Sequence, residues 1–115
     1  MHELSIAGAV VDTALKHAAG RKVKVVTVRA GALRQVVPDS LEFYFGFVTR
    51  DTRCEGARLE LIEVPARLRC CGEEWQVDFP DFRCATCGGA AEIVAGDELE
   101  VESIEVEEAA CIAPR

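Results

Sequence analysis

Basic residues are in short supply in this chain: 13 Lys and Arg stand against 20 Asp and Glu, a net charge of −7 over 115 residues. A surface of that sign argues against nucleic-acid phosphates as the main partner, although it suits cations or a basic protein face. Aromatics are scarce too, with five Phe, one Tyr and one Trp, so the stacking platforms that read single strands are missing. No stretch approaches the roughly 20 apolar residues that span a bilayer. Met1-His2-Glu3, followed by the charges from Lys16 to Lys24, does not read as a signal peptide. A soluble, reducing, cytoplasmic setting is therefore expected, with neither membrane nor nucleic acid as partner. Only two histidines occur, His2 and His17, and neither has an evident Ser, Cys or Asp partner. No set of nucleophile, base and orienting group can be assembled, so the chain is not expected to be an enzyme.

Half of the residues are hydrophobic, enough for one packed domain at this length, with room for a small metal-held subdomain. Leu4, Ala7, Val11, Ala14, Leu15 and Ala18 recur at steps of mostly three and four, predicting a helix from Glu3 to about Ala19. Ile6 and Val10 widen its apolar stripe, Gly20 supplies a stop, and His17 sits where a surface cation suits the helix dipole. Lys22 to Arg29 alternates as a strand, and Gly31 to Val37 is a connection. A second helix starts at Pro38-Asp39-Ser40 and runs to about Arg50, with Asp39 and Glu42 spaced as a capping box. Further strands are expected at Ala57 to Val64, at Glu74 to Phe79 and at Glu98 to about Glu107. In the three long strands alternation breaks at Val25-Val26, Leu61-Ile62 and Ser103-Ile104. Either a bulge re-phases the side chains there, or both faces are partly buried.

This order places the last strand against the first part of the chain and makes the cysteine-rich stretch an insertion. The expected fold is α+β: a small three-stranded sheet with two helices, plus an inserted zinc-ribbon-like module. The boundaries expected are 1–64 with 97–115 for the α/β domain and 65–96 for the module. Glu92 to Glu108 holds eight acids and no Lys or Arg, which reads as a solvated strand face.

The module carries Cys70-Cys71 and then Cys84-Ala85-Thr86-Cys87-Gly88-Gly89. A C-x-x-C pair backed by glycines in a reducing setting points to a closed tetrahedral zinc site. A thioredoxin-type motif would instead open a helix, which Gly88-Gly89 disfavours. Cys71-Gly72 mirrors Cys87-Gly88, so Cys71 is the better-supported ligand of the first half. Cys70 supplies the fourth thiolate if the backbone turns enough for adjacent side chains to reach one ion. Otherwise Cys54, Cys111 or a neighbouring molecule completes the shell, though both cysteines read as bystanders. Four thiolates leave no open position for catalysis, so the ion's work is to hold a small segment folded.

At the other end, the amine of Met1, the main-chain nitrogen of His2 and its Nδ1 can close two fused chelate rings, with Glu3 adding a nitrogen or carboxylate. Nitrogen ligands in a plane suit divalent nickel or copper. Read by position alone, His2 is equally an exposed residue before a helix.

Met1-His2-Glu3-Leu4-Ser5-Ile6, Glu55-Gly56-Ala57-Arg58-Leu59, Val64-Pro65-Ala66 and Ser103-Ile104-Glu105-Val106, together with the cysteine module, resemble the HypA/HybF family over essentially the whole chain. The resemblance implies a nickel metallochaperone that helps load [NiFe] hydrogenase, or urease in some organisms. It implies a nickel-handling GTPase, HypB, as partner, meeting the first-helix region, with the hydrogenase large subunit as client. It makes His2 the nickel ligand with Glu3 beside it, and Cys71, Cys84 and Cys87 zinc ligands. The family's remaining zinc ligand falls on Leu68, where this chain departs from the pattern; Cys70 is proposed in its place by proximity. A homodimer is compatible with this reading. The competing reading is a zinc-ribbon interaction module that carries no nickel.

Overall fold

The computed structural model describes residues 3–77 and 83–107. Helix α1 spans Glu3–Ala18, strand β1 Val23–Gly31, helix α2 Pro38–Val48 and strand β2 Arg58–Val64. A single 3-10 turn, Ala32–Arg34, lies in the connection after β1. Three short strands follow, β3 at Ala66–Cys70, β4 at Glu73–Val77 and β5 at Glu92–Ala95, before the long β6 at Leu99–Val106. The strands form two sheets, ordered β2-β1-β6 and β4-β3-β5. The expected return of the last strand is therefore met: β6 runs antiparallel to β1, and β2 runs parallel to it on the other side. The second sheet is inserted between β2 and β6 in the chain.

A parallel β1–β2 pair needs a crossover, and α2 supplies it. Both helices cover one face of the first sheet, so the core is a single layer between helices and strands. Ile6, Ala7, Val10, Val11, Ala14 and Ala18 of α1 meet Val23, Val26 and Val28 of β1 and Leu41 and Phe45 of α2. Burying one Leu or Phe of this kind contributes about 1.5–3 kcal/mol. At 100° per residue the buried stripe of α1 centres near Ala7, Val10 and Ala14. Leu4, assigned to that stripe from sequence, falls at its margin and is 48% exposed. The helix ends as expected at a left-handed pair, Ala19 and Gly20. Arg21 then donates from Nε to the Ala18 carbonyl at 2.8 Å, satisfying one of the orphan acceptors.

The broken alternation of β1 and β6 comes from bulges. Between Val23 and Val25 β1 advances two residues against one on β6. Between Ser103 and Val101 β6 skips Glu102 against a single step on β1, which returns both Val101 and Ile104 to the core side. Strand β2 differs, because its pairing with β1 runs unshifted from Arg58 to Val64. Leu61 packs on the core while Ile62 points to the open face, 41% exposed.

One local expectation is corrected. Asp39 and Glu42 form no capping box: Val37 is the N-cap, no side chain caps it, and Pro38 takes the first turn. The fixed φ of proline starts the helix one residue early and shifts Asp39 inside it. The first helix provides a partner for this end instead, since the Val37 amide donates to Glu3 Oε2 at 3.1 Å.

The two sheets meet where three backbone segments cross. The Gly31 amide donates to the Glu98 carbonyl at 2.7 Å, and the Leu33 amide to the Gly96 carbonyl at 2.7 Å. A Cβ on Gly31 would lie 2.1 Å from the Gly96 oxygen; one on Gly96 would lie 2.5 Å from Ala66 Cα. Arg34 Nε donates to the Asp97 carbonyl at 2.7 Å, and the Gly96 amide to Glu98 Oε1 at 2.8 Å. No helix among the described residues is long and apolar enough to cross a membrane.

Candidate metal centre

Cys70 is the last residue of β3, and the antiparallel pairing of Cys70 with Glu73 leaves Cys71-Gly72 as a two-residue hairpin loop. Both loop residues have positive φ, 55° at Cys71 and 77° at Gly72. This is the arrangement of a type I′ turn, whose twist matches the strands it joins. A non-glycine residue in that conformation costs roughly 1–2 kcal/mol. Because the chain reverses within the turn, two adjacent cysteines serve one centre. The second half is a knuckle closed by a bridge between Arg83 and Ala90. Inside it the Gly88 amide donates to the Cys84 carbonyl, and the Cys84 amide to the Gly89 carbonyl, each at 2.8 Å.

The result is a group of four sulfurs, Cys70, Cys71, Cys84 and Cys87, all within 4.8 Å of one another. Cys70 Sγ lies 3.8 Å from that of Cys71 and 3.6 Å from that of Cys87, and Cys84 lies 3.9 Å from Cys71. A tetrahedron with metal–sulfur bonds of about 2.3 Å has edges of about 3.8 Å, so the sulfurs match a four-thiolate zinc ion. Amides point at the sulfurs as well: Thr86 donates to Cys84 Sγ at 3.3 Å and Gly89 to Cys87 Sγ at 3.4 Å. Such donors stabilise thiolate charge and orient the ligand.

Hydrogen bonds from the backbone of Cys87 and Thr86 hold the Cys84 thiol down to about 6. Contact with the thiols of Cys87, Cys84 and Cys71 pushes Cys70 up to about 12, and Cys71 is raised by its neighbours, Cys87 first. Thiols packed this closely cannot all ionise alone, and a divalent cation reverses that balance. Beside the cluster, Glu74 accepts from Arg69 at 2.8 Å and meets Arg67 at 3.5 Å across the β3–β4 pair. Its carboxyl is held below the usual range, first by the Arg69 hydrogen bond.

Of the other cysteines, Cys54 is fully buried in the main core, apart from the cluster, and Cys111 lies outside the described residues. Leu68, at the position where the family pattern has a ligand, is fully buried in the middle of the central strand β3, opposite Trp75 and Ile93. At the chain's start, Met1 and His2 lie outside the described residues, whereas Glu3 opens α1 with its carboxylate on the Val37 amide. That contact links the first residues to α2, and no local pattern could have announced it across 34 positions. Of the two sulfur-directed amides, only that of Gly89 has a signal in the sequence, the Gly88-Gly89 pair behind Cys87; Thr86 has none.

A family model described as hydrogenase/urease nickel incorporation, metallochaperone, hypA, matches residues 1–106. The hydrogenase maturation factor HypA of Geobacter metallireducens is 46% identical over 110 residues, covering 93% of this chain and all of that one. The protein of the same name from Roseiflexus sp. is 44% identical over 115 residues, covering 94% of each chain. The solution structure of the Ni metallochaperone HypA from Helicobacter pylori shares the fold, with a TM-score of 0.70 at 22% identity over 92% of this chain and 97% of that one. Sheet pair, cysteine cluster and full-length match agree: the chain belongs to the HypA family of nickel-incorporation metallochaperones.

Proposed function

We propose that this chain carries nickel at its first residues for the maturation of [NiFe] hydrogenase, with zinc held as a structural ion by Cys70, Cys71, Cys84 and Cys87. The observation that carries the reading is the family match over residues 1–106, which takes in Met1-His2-Glu3. The Met1 amine, the His2 backbone nitrogen and the His2 Nδ1 take the ion, a nitrogen set suited to divalent nickel. Glu3 holds this segment against α2 through the Val37 amide and lends its carboxylate to the site. A shallow site at a terminus suits a carrier, which must release what it binds. The chain passes nickel on without catalysing a reaction, in the cytoplasm, working with a nickel-handling GTPase and the hydrogenase large subunit; urease is a second client in the same role. Residues 1–64 with 97–115 act as the nickel-carrying part and 65–96 as the zinc-held part.

Titration with Ni²⁺ of protein beginning at Met1 tests this. His2→Ala is expected to weaken binding by more than the roughly 10–100-fold typical of losing an outer-shell partner. Residues added before Met1 should do the same while circular dichroism stays unchanged. If the extended protein binds nickel as tightly as the native one, the terminal site is wrong.

A further inference from the structure

The four clustered sulfurs are not equally shielded. Cys71 and Cys87 are exposed and Cys70 is half-buried, whereas Cys84 is only 4% exposed. Oxidation of a cysteine follows its thiolate character and its access to solvent. Cys87 combines the two: a zinc ligand is a thiolate, and the Gly89 amide donates to this sulfur at 3.4 Å. The sulfurs of Cys70 and Cys87 lie 3.6 Å apart, so a disulfide of about 2.05 Å asks each to move by less than about 1 Å. Other pairings are worse placed. Neighbouring Cα atoms stand about 3.8 Å apart, short of the roughly 4.4 Å at which disulfides begin, which disfavours Cys70 with Cys71. Cys84 is shielded, lies 3.9 Å from Cys71, and accepts the Thr86 amide at 3.3 Å. Cys54 is fully buried in the main core.

We infer that a hydroperoxide oxidises this centre to a Cys70–Cys87 disulfide, a cross-link that ties the hairpin to the knuckle in place of zinc. The inference rests on the four-thiolate reading above and concerns what those same residues do when oxidised. The Cys87 thiolate attacks the peroxide; its sulfur gains an oxygen, the O–O bond breaks and hydroxide leaves. The Cys70 thiolate then attacks the sulfenic sulfur, the S–S bond forms, the S–O bond breaks and a second hydroxide leaves. The two thiolates give up two electrons, and one H₂O₂ with two protons becomes two waters. Only Cys71 and Cys84 then remain as thiolates, so the tetrahedral set no longer closes and the ion is released. The bridge joins positions 17 apart in the chain, which restricts the unfolded segment between them. It keeps the end of β3 against the knuckle closed by Arg83 and Ala90, a contact that strands of four and five residues do not hold alone. Reduction returns both thiols to the same place, ready to take zinc again. The centre thus responds to oxidant without losing the fold around it.

The test treats zinc-loaded Cys111→Ser protein with an equimolar amount of hydrogen peroxide. Remaining thiols are blocked with N-ethylmaleimide in denaturant, and the chain is cut with trypsin without reduction. Cleavage after Arg69 and Arg83 puts Cys70 and Cys71 on one peptide and Cys84 and Cys87 on another. The expected result is one joined pair of peptides with the label on Cys71 and Cys84. Zinc should appear in a chromophoric assay in proportion to the peroxide consumed, and dithiothreitol should restore its binding. The Trp75 emission maximum of the oxidised protein should stay near that of the zinc form, and move to the red only when the bridge is reduced in the presence of a chelator. Separate peptides, a link through any other pair, cysteines carried on to sulfinic acid, or zinc retained after treatment overturn the inference. So does oxidised protein whose emission is as red as that of the chelated form. Protein that holds no zinc before treatment sinks the four-thiolate reading, while its peptide map still decides the pairing.

Discussion

Gly31→Ala is expected to destabilise the protein by on the order of 3 kcal/mol or more, through overpacking and lost backbone hydrogen bonds. A methyl group 2.1 Å from the Gly96 carbonyl oxygen has backbone, and no flexible side chain, in its way. The crossing must open to admit it. Opening breaks the bond from the Gly31 amide to Glu98 and threatens that from Leu33 to Gly96, both 2.7 Å long. For a domain of about 100 residues this lowers the melting temperature by more than about 10 °C. Gly8→Ala is the internal control. Gly8 lies within α1 with nothing within 4 Å of an added Cβ, so the same chemical change should be neutral or stabilise by about 0.5–1 kcal/mol. Urea unfolding of the two variants measures both signs. Equal stabilities would mean that the three segments do not cross as closely as described.

Removal of zinc is expected to have a larger effect, confined to the second sheet. That sheet has few buried apolar groups of its own, chiefly Leu68 and Ala66. Its strands are five, five and four residues long, too short to persist without a staple. Binding of a structural zinc ion is worth about 10–16 kcal/mol in small peptides, and that energy becomes folding energy. Trp75, the chain's only tryptophan, lies in β4 beside Cys70 and Cys84. Cys84→Ala, or chelation, should therefore red-shift its fluorescence and abolish zinc binding. Circular dichroism from α1 and α2 should persist.

The pH dependence follows from the thiols. In the metal-free protein Cys70 and Cys71, both raised, keep their protons at neutral pH, whereas Cys84 at about 6 has lost its own. Binding zinc at pH 7 thus releases at least two protons, so affinity falls as pH falls, by at least about 100-fold per unit. Below pH 6 Cys84 takes up a proton as well and the slope steepens. A competition assay with a chromophoric chelator at several pH values checks the slope; a flat profile would exclude thiolate ligation by these residues.

The parts legible in the sequence were those with long periods. Sixteen residues of α1 and the nine and eight of β1 and β6 repeat their apolar pattern often enough to be read. Strand β3 was not, although Ala66-Arg67-Leu68-Arg69-Cys70 alternates in full, because five residues between Pro65 and a cysteine pair look like part of a loop. Strand β5, four residues at the start of an acidic stretch, gave still less signal. The second helix is legible but its cap is not, since Pro38 outranks Asp39 in setting where the helix begins. Convergence of Cys84 and Cys87 followed from their spacing. That Cys70 joins them depended on the handedness of the Cys71 backbone, which only an X-Gly pair between two strands hints at. The bond from Glu3 to Val37 is a product of tertiary packing and left no local trace.

Ligand spacing and strand register are one and the same variable at Cys71-Gly72. In a pairing whose faces alternate every residue, one extra amino acid in this loop would swap the inner and outer sides of β4 and carry a sulfur off its corner. The hairpin can therefore change its side chains over generations far more freely than its length.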